Sequence, residues 1–235
     1  MSFFLKNPVR HILLVILFFI FPKLAQASDA VAFVGAGYGR TEVDSLMKKI
    51  VPQVDGLEAE DCGTYLKAED FVNYRMVVIV GMLEKEYTPE ESDIIYEYVN
   101  KGGSLVLVHH GPKNLRIGGT DADRRQSYLF GRSDYIRGAA ACVVHEPDAS
   151  LLADVLTADS EPFWLRSTVL LNGTEFENII GSDDHVLVGR LIVGDGEVIY
   201  LGQEFFRLAQ TAKKEGKDAA LEGWVQIWKN ILAPQ

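Results

Sequence analysis

Two adjacent histidines, His109 and His110, follow an apolar run at residues 104–108 that is typical of a buried strand. Ligands of α/β sheets bind beyond the carboxyl ends of parallel strands, so these imidazoles are the first candidates for chemistry. Such a histidine can be a general base, a metal ligand or a hydrogen-bond donor to a polar ligand. The alternative is a structural histidine that caps the sheet edge by bonding to backbone. Adjacent strand residues point to opposite faces, so we expect only one of the pair to face a cleft.

Gln203 and Glu204 also follow a predicted strand, residues 197–201. If both strands end at the same edge of the sheet, Glu204 can meet His109 there. A histidine beside a carboxylate forms an acid/base or metal-binding pair. The sequence contains no H-E-x-x-H, EF-hand or Cys-x-x-Cys motif, so it identifies no metal and no other cofactor.

Residues 112–138 are rich in Gly, Arg, Asp and Ser and show no regular period, which predicts a long loop or small excursion. A long loop directly after a strand is often functional. Its arginines can hold a polar or anionic ligand, or they can pair with aspartates of the same segment. Four of these arginines are Arg116, Arg124, Arg125 and Arg132. Together with the two strand ends, this segment gives three candidate ligand-binding residues: His110, Arg116 and Gln203.

The sequence Gly-x-Gly-x-Gly at residues 35–39 follows the first predicted strand and precedes a predicted helix at 41–54, with Thr41 as its N-cap. Its spacing is neither that of a dinucleotide-binding fingerprint nor that of a P-loop. A tight strand-to-helix turn is the favoured interpretation, and phosphate binding is the alternative.

Alternating strands and helices must position these residues. Thr88-Pro89 and Glu91 form the capping box of a second helix, which Gly102-Gly103 ends. Short turns between such elements predict an α/β fold with a parallel sheet and right-handed crossovers. The further elements predicted are a strand at 139–144, a short helix at 150–156, a hairpin of 186–193 with 197–201, and a closing amphipathic helix at 219–232.

An export signal is predicted at residues 1–27. Lys6 and Arg10 precede the apolar run 12–21, and Ala25 and Ala27 form a cleavage site. We therefore expect a periplasmic or secreted protein with one mature domain, residues 28–235, and no membrane span after cleavage; an uncleaved membrane anchor is the alternative. The whole chain has a formal net charge of −10, and cleavage would remove only positive charges, which makes nucleic-acid binding improbable.

Two cysteines, Cys62 and Cys142, remain after this cleavage. Export permits a disulfide between them, which would close a long loop and stabilise the fold. Two separate buried thiols are the alternative, because the sequence does not show whether the two residues lie close together.

Two segments resemble the class I glutamine amidotransferase-like superfamily, most closely its trehalose-utilisation, or ThuA-like, branch. They are the capped helix and strand from Thr88 to His109, with the paired glycines Gly102-Gly103, and the later run from Gly194 to Gln203. The resemblance implies a flavodoxin-like three-layer fold, with a mostly parallel central sheet and helices on both faces. It also favours His109 over His110 as the site residue.

The sequence departs from that superfamily at the catalytic nucleophile. Amidotransferases carry a cysteine on the elbow after a central strand, with a His-x-Glu pair further on. Here His109 and His110 follow the strand, and His145-Glu146 has the wrong spacing. We therefore expect a ligand-binding or interaction module without amidotransferase activity, and the resemblance makes a carbohydrate the first ligand class. The alternatives are a periplasmic hydrolase or sugar-modifying enzyme that uses His109 and Glu204, with or without a metal, and a subunit of an envelope complex.

Overall fold

The computed structural model describes residues 28–115, 126–127, 131–136, 142–155, 168–172, 174–182 and 184–233; of 126–127 and 131–136 it describes the backbone. The predicted export signal and the arginines Arg116, Arg124 and Arg125 lie outside the described residues. No helix within the described ranges is long and apolar enough to cross a membrane.

The described residues form eleven strands and four α-helices. The strands are β1 (Ser28–Gly35), β2 (Ala59–Asp61), β3 (Tyr74–Val80), β4 (Ser104–Val108), β5 (Gln126–Ser127), β6 (Gly131–Ile136), β7 (Val143–Val144), β8 (Thr168–Asn172), β9 (Glu177–Ser182), β10 (His185–Val193) and β11 (Gly196–Leu201). The helices are α1 (Tyr38–Lys49), α2 (Pro89–Asn100), α3 (Phe205–Glu215) and α4 (Asp218–Leu232).

Five parallel strands form the half of the sheet that carries the site. Their order is β2-β1-β3-β4-β11, which is the strand order of flavodoxin-like folds. Residues 31–34, 76–80 and 105–108 of the inner strands are fully or almost fully buried, as expected for strands covered on both faces. The sheet places the carboxyl ends of β1, β3, β4 and β11 at one edge.

The other half of the sheet is antiparallel. β10 pairs with β11 in the predicted hairpin, and β8, β6 and β5 continue the sheet beyond it, while β9 and β7 pair on a side branch. The segment 112–138, predicted as a loop, therefore contributes β5 and β6 to the sheet. β7 lies within the strand predicted at 139–144, of which residues 139–141 are outside the described residues. Where a short helix is predicted at 150–156, the described residues form the 3₁₀ turn Ser150–Leu152.

Helices cover both faces of the parallel half, which confirms the predicted flavodoxin-like fold. On one face α1, α3 and α4 pack on the side chains of Phe33 and Val78, and Trp224 and Trp228 of α4 are fully buried there. On the other face α2 packs on the alternate side chains of β1, β3 and β4. Full burial of a side chain such as Phe33 contributes about 1.5–3 kcal/mol.

The capping box of α2 is formed as predicted. The Glu91 amide donates to the Thr88 hydroxyl, and the Thr88 amide donates to the Glu91 carboxylate at 2.7 Å. Hydrogen bonds from the Thr88 amide, Tyr65 and Lys85 lower the pKa of the Glu91 carboxyl to about 2. The start of α2 is therefore determined by local side chains.

The two cysteines do not form the predicted disulfide. Both thiols are free, and they belong to cores on opposite faces of the sheet, since Cys142 packs with the α1 side and Cys62 with the α2 side. The Cys62 thiol instead donates to the Tyr74 hydroxyl at 3.5 Å. The sheet therefore lies between the two cysteines.

Candidate functional site

A cavity of about 490 Å³ opens at the carboxyl edge of the parallel strands. Four connections that leave β1, β3, β4 and β11 line it, so the fold brings together segments that are far apart in the sequence. The lining residues are Ala36, Gly37, Tyr38, Gly39, Gly81, Met82, Leu83, Glu84, His109, His110, Glu204 and Arg207. Its position is the one at which α/β sheets of this kind bind ligands.

The glycine turn after β1 forms one wall through its backbone. Gly37 has a φ of 54°, and α1 begins at Tyr38 without a side-chain cap, so the prediction of Thr41 as N-cap is wrong. A Cβ on Gly39 would lie 2.2 Å from the Val80 carbonyl oxygen. Glycine is needed here because α1 starts directly against the end of β3, and this close packing favours the tight-turn interpretation.

His109 is held in a strained backbone conformation at the end of β4. Its φ is 57°, a left-handed conformation that costs a residue other than glycine on the order of 1–3 kcal/mol. Its amide donates to the Leu201 carbonyl at 2.7 Å, and its carbonyl accepts from the Tyr200 hydroxyl at 3.1 Å. Contacts with β11 thus stabilise the turn that directs the imidazole toward the cavity.

This turn also corrects the expectation that His109 and His110 point to opposite faces. Both line the cavity, and their ring centroids lie 4.4 Å apart in an edge-to-face arrangement. The alternation rule applies to extended strand residues, whereas β4 ends at Val108 and His109 has left the strand. Burial, with a smaller contribution from Lys113, lowers the pKa of His110 to about 4, so His110 is a neutral imidazole near pH 7.

Glu204 lies beside His109, as the sequence predicted. The distance between His109 Nδ1 and Glu204 Oε1 is 3.7 Å, and both side chains are buried. This separation is within ion-pair reach but longer than a hydrogen bond. The other carboxylate oxygen of Glu204 accepts from Arg207 Nε at 2.6 Å. Burial raises the pKa of Glu204, and the charge and hydrogen bond of Arg207 oppose that shift.

Gln203, a predicted ligand-binding residue, does not line the cavity. It is buried, and its side-chain amide donates to the Glu204 carbonyl at 3.0 Å. Among the described residues its side-chain oxygen has no hydrogen-bond partner. Of the other predicted ligand-binding residues, His110 lies in the cavity and Arg116 lies outside the described residues.

Sequence reasoning missed three side chains at this site. Arg207 lines the cavity and lies over the exposed ring of Tyr38, with 5.4 Å between the guanidinium carbon and the ring centroid. Asn114 is fully buried and joins the loops after β3 and β4, since it accepts from the Leu83 amide and donates to the Gly81 carbonyl. No sequence motif signals either residue.

The third missed residue is Glu42 of α1, which is 1% exposed. Its two carboxylate oxygens accept from the amides of Phe205 and Phe206, at 2.6 and 2.5 Å, where α3 begins. The spacing of Glu42 to Leu46 and Ile50, one helical turn each, could have shown that this glutamate lies on the apolar stripe of its helix.

A smaller cavity of about 220 Å³ adjoins the first between α1 and α3. Tyr38, Glu204 and Arg207 line both, and Glu42 lines only the smaller one. Within the described ranges no group of three or more His, Cys, Asp or Glu side chains is placed to hold a metal ion.

No protein-family model matches the sequence, and no curated protein matches it. Solved structures do. A ThuA-like protein of Bacteroides uniformis has a TM-score of 0.55 and 15% identity over 90% of this chain and 94% of its own. The cytoplasmic protein STM3548 of Salmonella typhimurium has a TM-score of 0.54 and 12% identity over 88% of this chain and 100% of its own.

A third similar structure is the exo-β-1,4-mannosidase Op5Man5 of an Opitutaceae bacterium, with a TM-score of 0.53 and 13% identity. The match covers 91% of this chain but 37% of the mannosidase. The chain has a ThuA-like fold. At these identities the likeness concerns the fold alone, and the chemistry of the cavity depends on its own residues.

Proposed function

We propose that this protein is a ligand-binding or interaction module of the amidotransferase-like superfamily, in its trehalose-utilisation branch, and that it binds a small polar ligand without amidotransferase chemistry. The observation that carries the proposal is the cavity at the carboxyl edge of β1, β3, β4 and β11. Its position and volume are typical of small-molecule sites.

A carbohydrate is the ligand class that the lining favours. The cavity offers imidazole, carboxylate and guanidinium groups, which donate to and accept from hydroxyls. Glu204 neutralises Arg207, and His110 is uncharged near neutral pH, so little positive charge remains to hold an anion. Tyr38 is 79% exposed at the mouth of the cavity, where its ring can stack on a sugar. The resemblance to the trehalose-utilisation branch supports the same class.

Calorimetric titration of the purified protein with glucose, mannose, galactose, maltose and trehalose tests this proposal. We expect at least one of these sugars to bind, and Tyr38→Ala to weaken it about fivefold or more, equivalent to about 1 kcal/mol. Ile192→Ala is the matched control, because Ile192 is also exposed and lies away from the cavity. The carbohydrate proposal fails if none of the sugars binds, or if both variants bind like the wild type.

A second candidate function is hydrolysis, which the 3.7 Å approach of His109 to Glu204 favours. In this mechanism the imidazole of His109 removes a proton from a water molecule, whose oxygen bonds to the electrophilic carbon of the substrate as the bond to the leaving-group oxygen breaks. Glu204 stabilises the imidazolium, which then gives its proton to the leaving-group oxygen. Chromogenic glycosides and esters are the probes. Turnover that Glu204→Gln abolishes supports an enzyme, and equal turnover in both proteins excludes this pair as the catalyst.

We further propose that the protein acts outside the cytoplasm. The support is the tripartite pattern of residues 1–27. Mass spectrometry of the protein purified from its host is expected to find Ser28 as the first residue. A protein that retains residues 1–27 would contradict cleavage.

A further inference from the structure

We propose that Glu42 is a positioning residue of the main cavity: it anchors the first turn of α3, and a change in its charge is transmitted to Glu204 and Arg207. The inference rests on the proposed function only for its consequence on ligand binding. The coupling itself runs from Glu42 through the first turn of α3 to Glu204 and Arg207.

The geometry of the anchor carries the proposal. Glu42 projects from α1, and its two oxygens accept from two successive backbone amides, those of Phe205 and Phe206. These amides belong to the first turn of α3, whose N-terminal groups lack partners within the helix and carry partial positive charge. Glu204 is the N-cap residue of α3 and its own side chain makes no capping hydrogen bond. Glu42, from another helix, therefore serves as the cap.

The anchored turn carries one wall of the cavity. Glu204 directly precedes Phe205, and Arg207 directly follows Phe206, so Glu42 holds the two residues that lie between them. The Glu204 carboxylate lies beside His109 on one side and pairs with Arg207 on the other. A movement of this turn would change both contacts at once.

Burial also makes the charge of Glu42 adjustable. Burial raises the pKa of Glu42 to about 8, and the negative charge of Glu204 adds to this shift. The hydrogen bonds from the amides of Phe206 and Phe205 and the positive charge of Lys49 on α1 oppose it. Arg207 of α3 lines the smaller cavity together with Glu42. Ionisation of Glu42 near pH 8 adds a second negative charge close to Glu204 and Arg207. This charge repels the Glu204 carboxylate and attracts the Arg207 guanidinium, so it acts on both partners of their ion pair.

Nuclear magnetic resonance of isotope-labelled protein tests the coupling without a ligand. In the wild type we expect the Phe205 and Phe206 amides and the Glu204 carboxyl carbon to share an inflection near pH 8. Glu42→Gln keeps the shape but replaces one acceptor with an NH₂ donor. It should remove that inflection and displace the Glu204 and Arg207 side-chain signals at every pH.

Ser45→Ala is the control, since Ser45 is buried on the same helix and its hydroxyl makes no hydrogen bond within the described residues. It should behave as the wild type. The proposal is overturned if Glu42→Gln lowers the melting temperature but leaves the Glu204 and Arg207 signals in place, because Glu42 would then only stabilise the fold. It is equally overturned if the wild-type signals show no shared inflection, a result that does not depend on the folding of any variant.

A ligand measurement separates this inference from the proposed function. If a sugar binds, its wild-type affinity should change severalfold between pH 7 and 9, and Glu42→Gln should flatten that change. If no sugar binds but the resonances behave as expected, the carbohydrate proposal fails and the positioning role of Glu42 stands.

Discussion

At the scale of residues, the two adjoining cavities bring together ionisable groups whose pKa values are shifted in opposite directions. Burial keeps His110 neutral by lowering its pKa to about 4, and it raises the pKa values of Glu42 and Glu204. Divergent shifts of this kind are typical of functional sites. His109 has a strained backbone at the same edge of the sheet. Backbone strain and the unfavourable burial of ionisable groups are therefore concentrated there.

The buried carboxyl of Glu42 predicts a pH dependence of stability. Its pKa is about 8 in the folded chain against 4.5 for the exposed group, so the native state binds more protons between these values. The stability that Glu42 contributes is therefore complete below about pH 4.5 and is lost as the pH rises through 8, with a slope of at most about 1.4 kcal/mol per pH unit.

Urea unfolding of the wild type and Glu42→Gln from pH 5 to 9 measures this effect. We expect the wild-type free energy of unfolding, taken relative to the variant, to decrease across that range. A constant difference would show that Glu42 has the same protonation state in the folded and unfolded chains.

At the scale of elements, the start of α1 against β3 defines one side of the cavity. Gly39 approaches the Val80 carbonyl so closely that even a methyl group would collide with backbone. The two elements can separate only by opening the sheet edge, which also carries Gly81 and the loop that Asn114 supports.

Gly39→Ala should therefore destabilise the fold by about 2–4 kcal/mol, as expected for overpacking against backbone that cannot relax. Gly216→Ala is the control, because Gly216 ends α3 with a φ of 66° and has open space around it; its cost should be about 1 kcal/mol. Thermal unfolding measures both. A loss at Gly39 no larger than that at Gly216 would mean that the backbone relaxes around the added methyl group, and that the contact with Val80 does not require glycine.

At the scale of the whole molecule, one sheet separates two hydrophobic cores, and each core contains one cysteine. The separation explains why a chain expected to be exported has no disulfide between them. Stability must come from the two cores themselves, which include the fully buried Trp224 and Trp228.

Thiol titration checks this arrangement. Protein purified without reductant and then denatured should react at two thiols, and dithiothreitol should leave the melting temperature of the native protein unchanged. Fewer than two reactive thiols, with full reactivity after reduction, would show that Cys62 and Cys142 are bridged.

Much of the parallel half of the fold could be predicted from the sequence because its signals are local. The apolar run of β4, the capping box at Thr88 and the hairpin of 186–193 with 197–201 need only neighbouring residues to be recognised. The meeting of His109 and Glu204 also followed, since parallel strands that end together bring their next residues to one edge.

Long-range packing decided the rest. α3 and the antiparallel strands β5, β6, β8 and β9 were not predicted. The shared orientation of His109 and His110 depends on a turn that contacts with β11 stabilise. Glu42 acquires its role only because α1 and α3 pack side by side. Glu42 and Phe205, whose amide it accepts from, are 163 residues apart in the sequence. The sequence alone determined which strands end in polar side chains, whereas the tertiary structure decided which of those side chains share a cavity, because contacts between distant residues carry no local pattern.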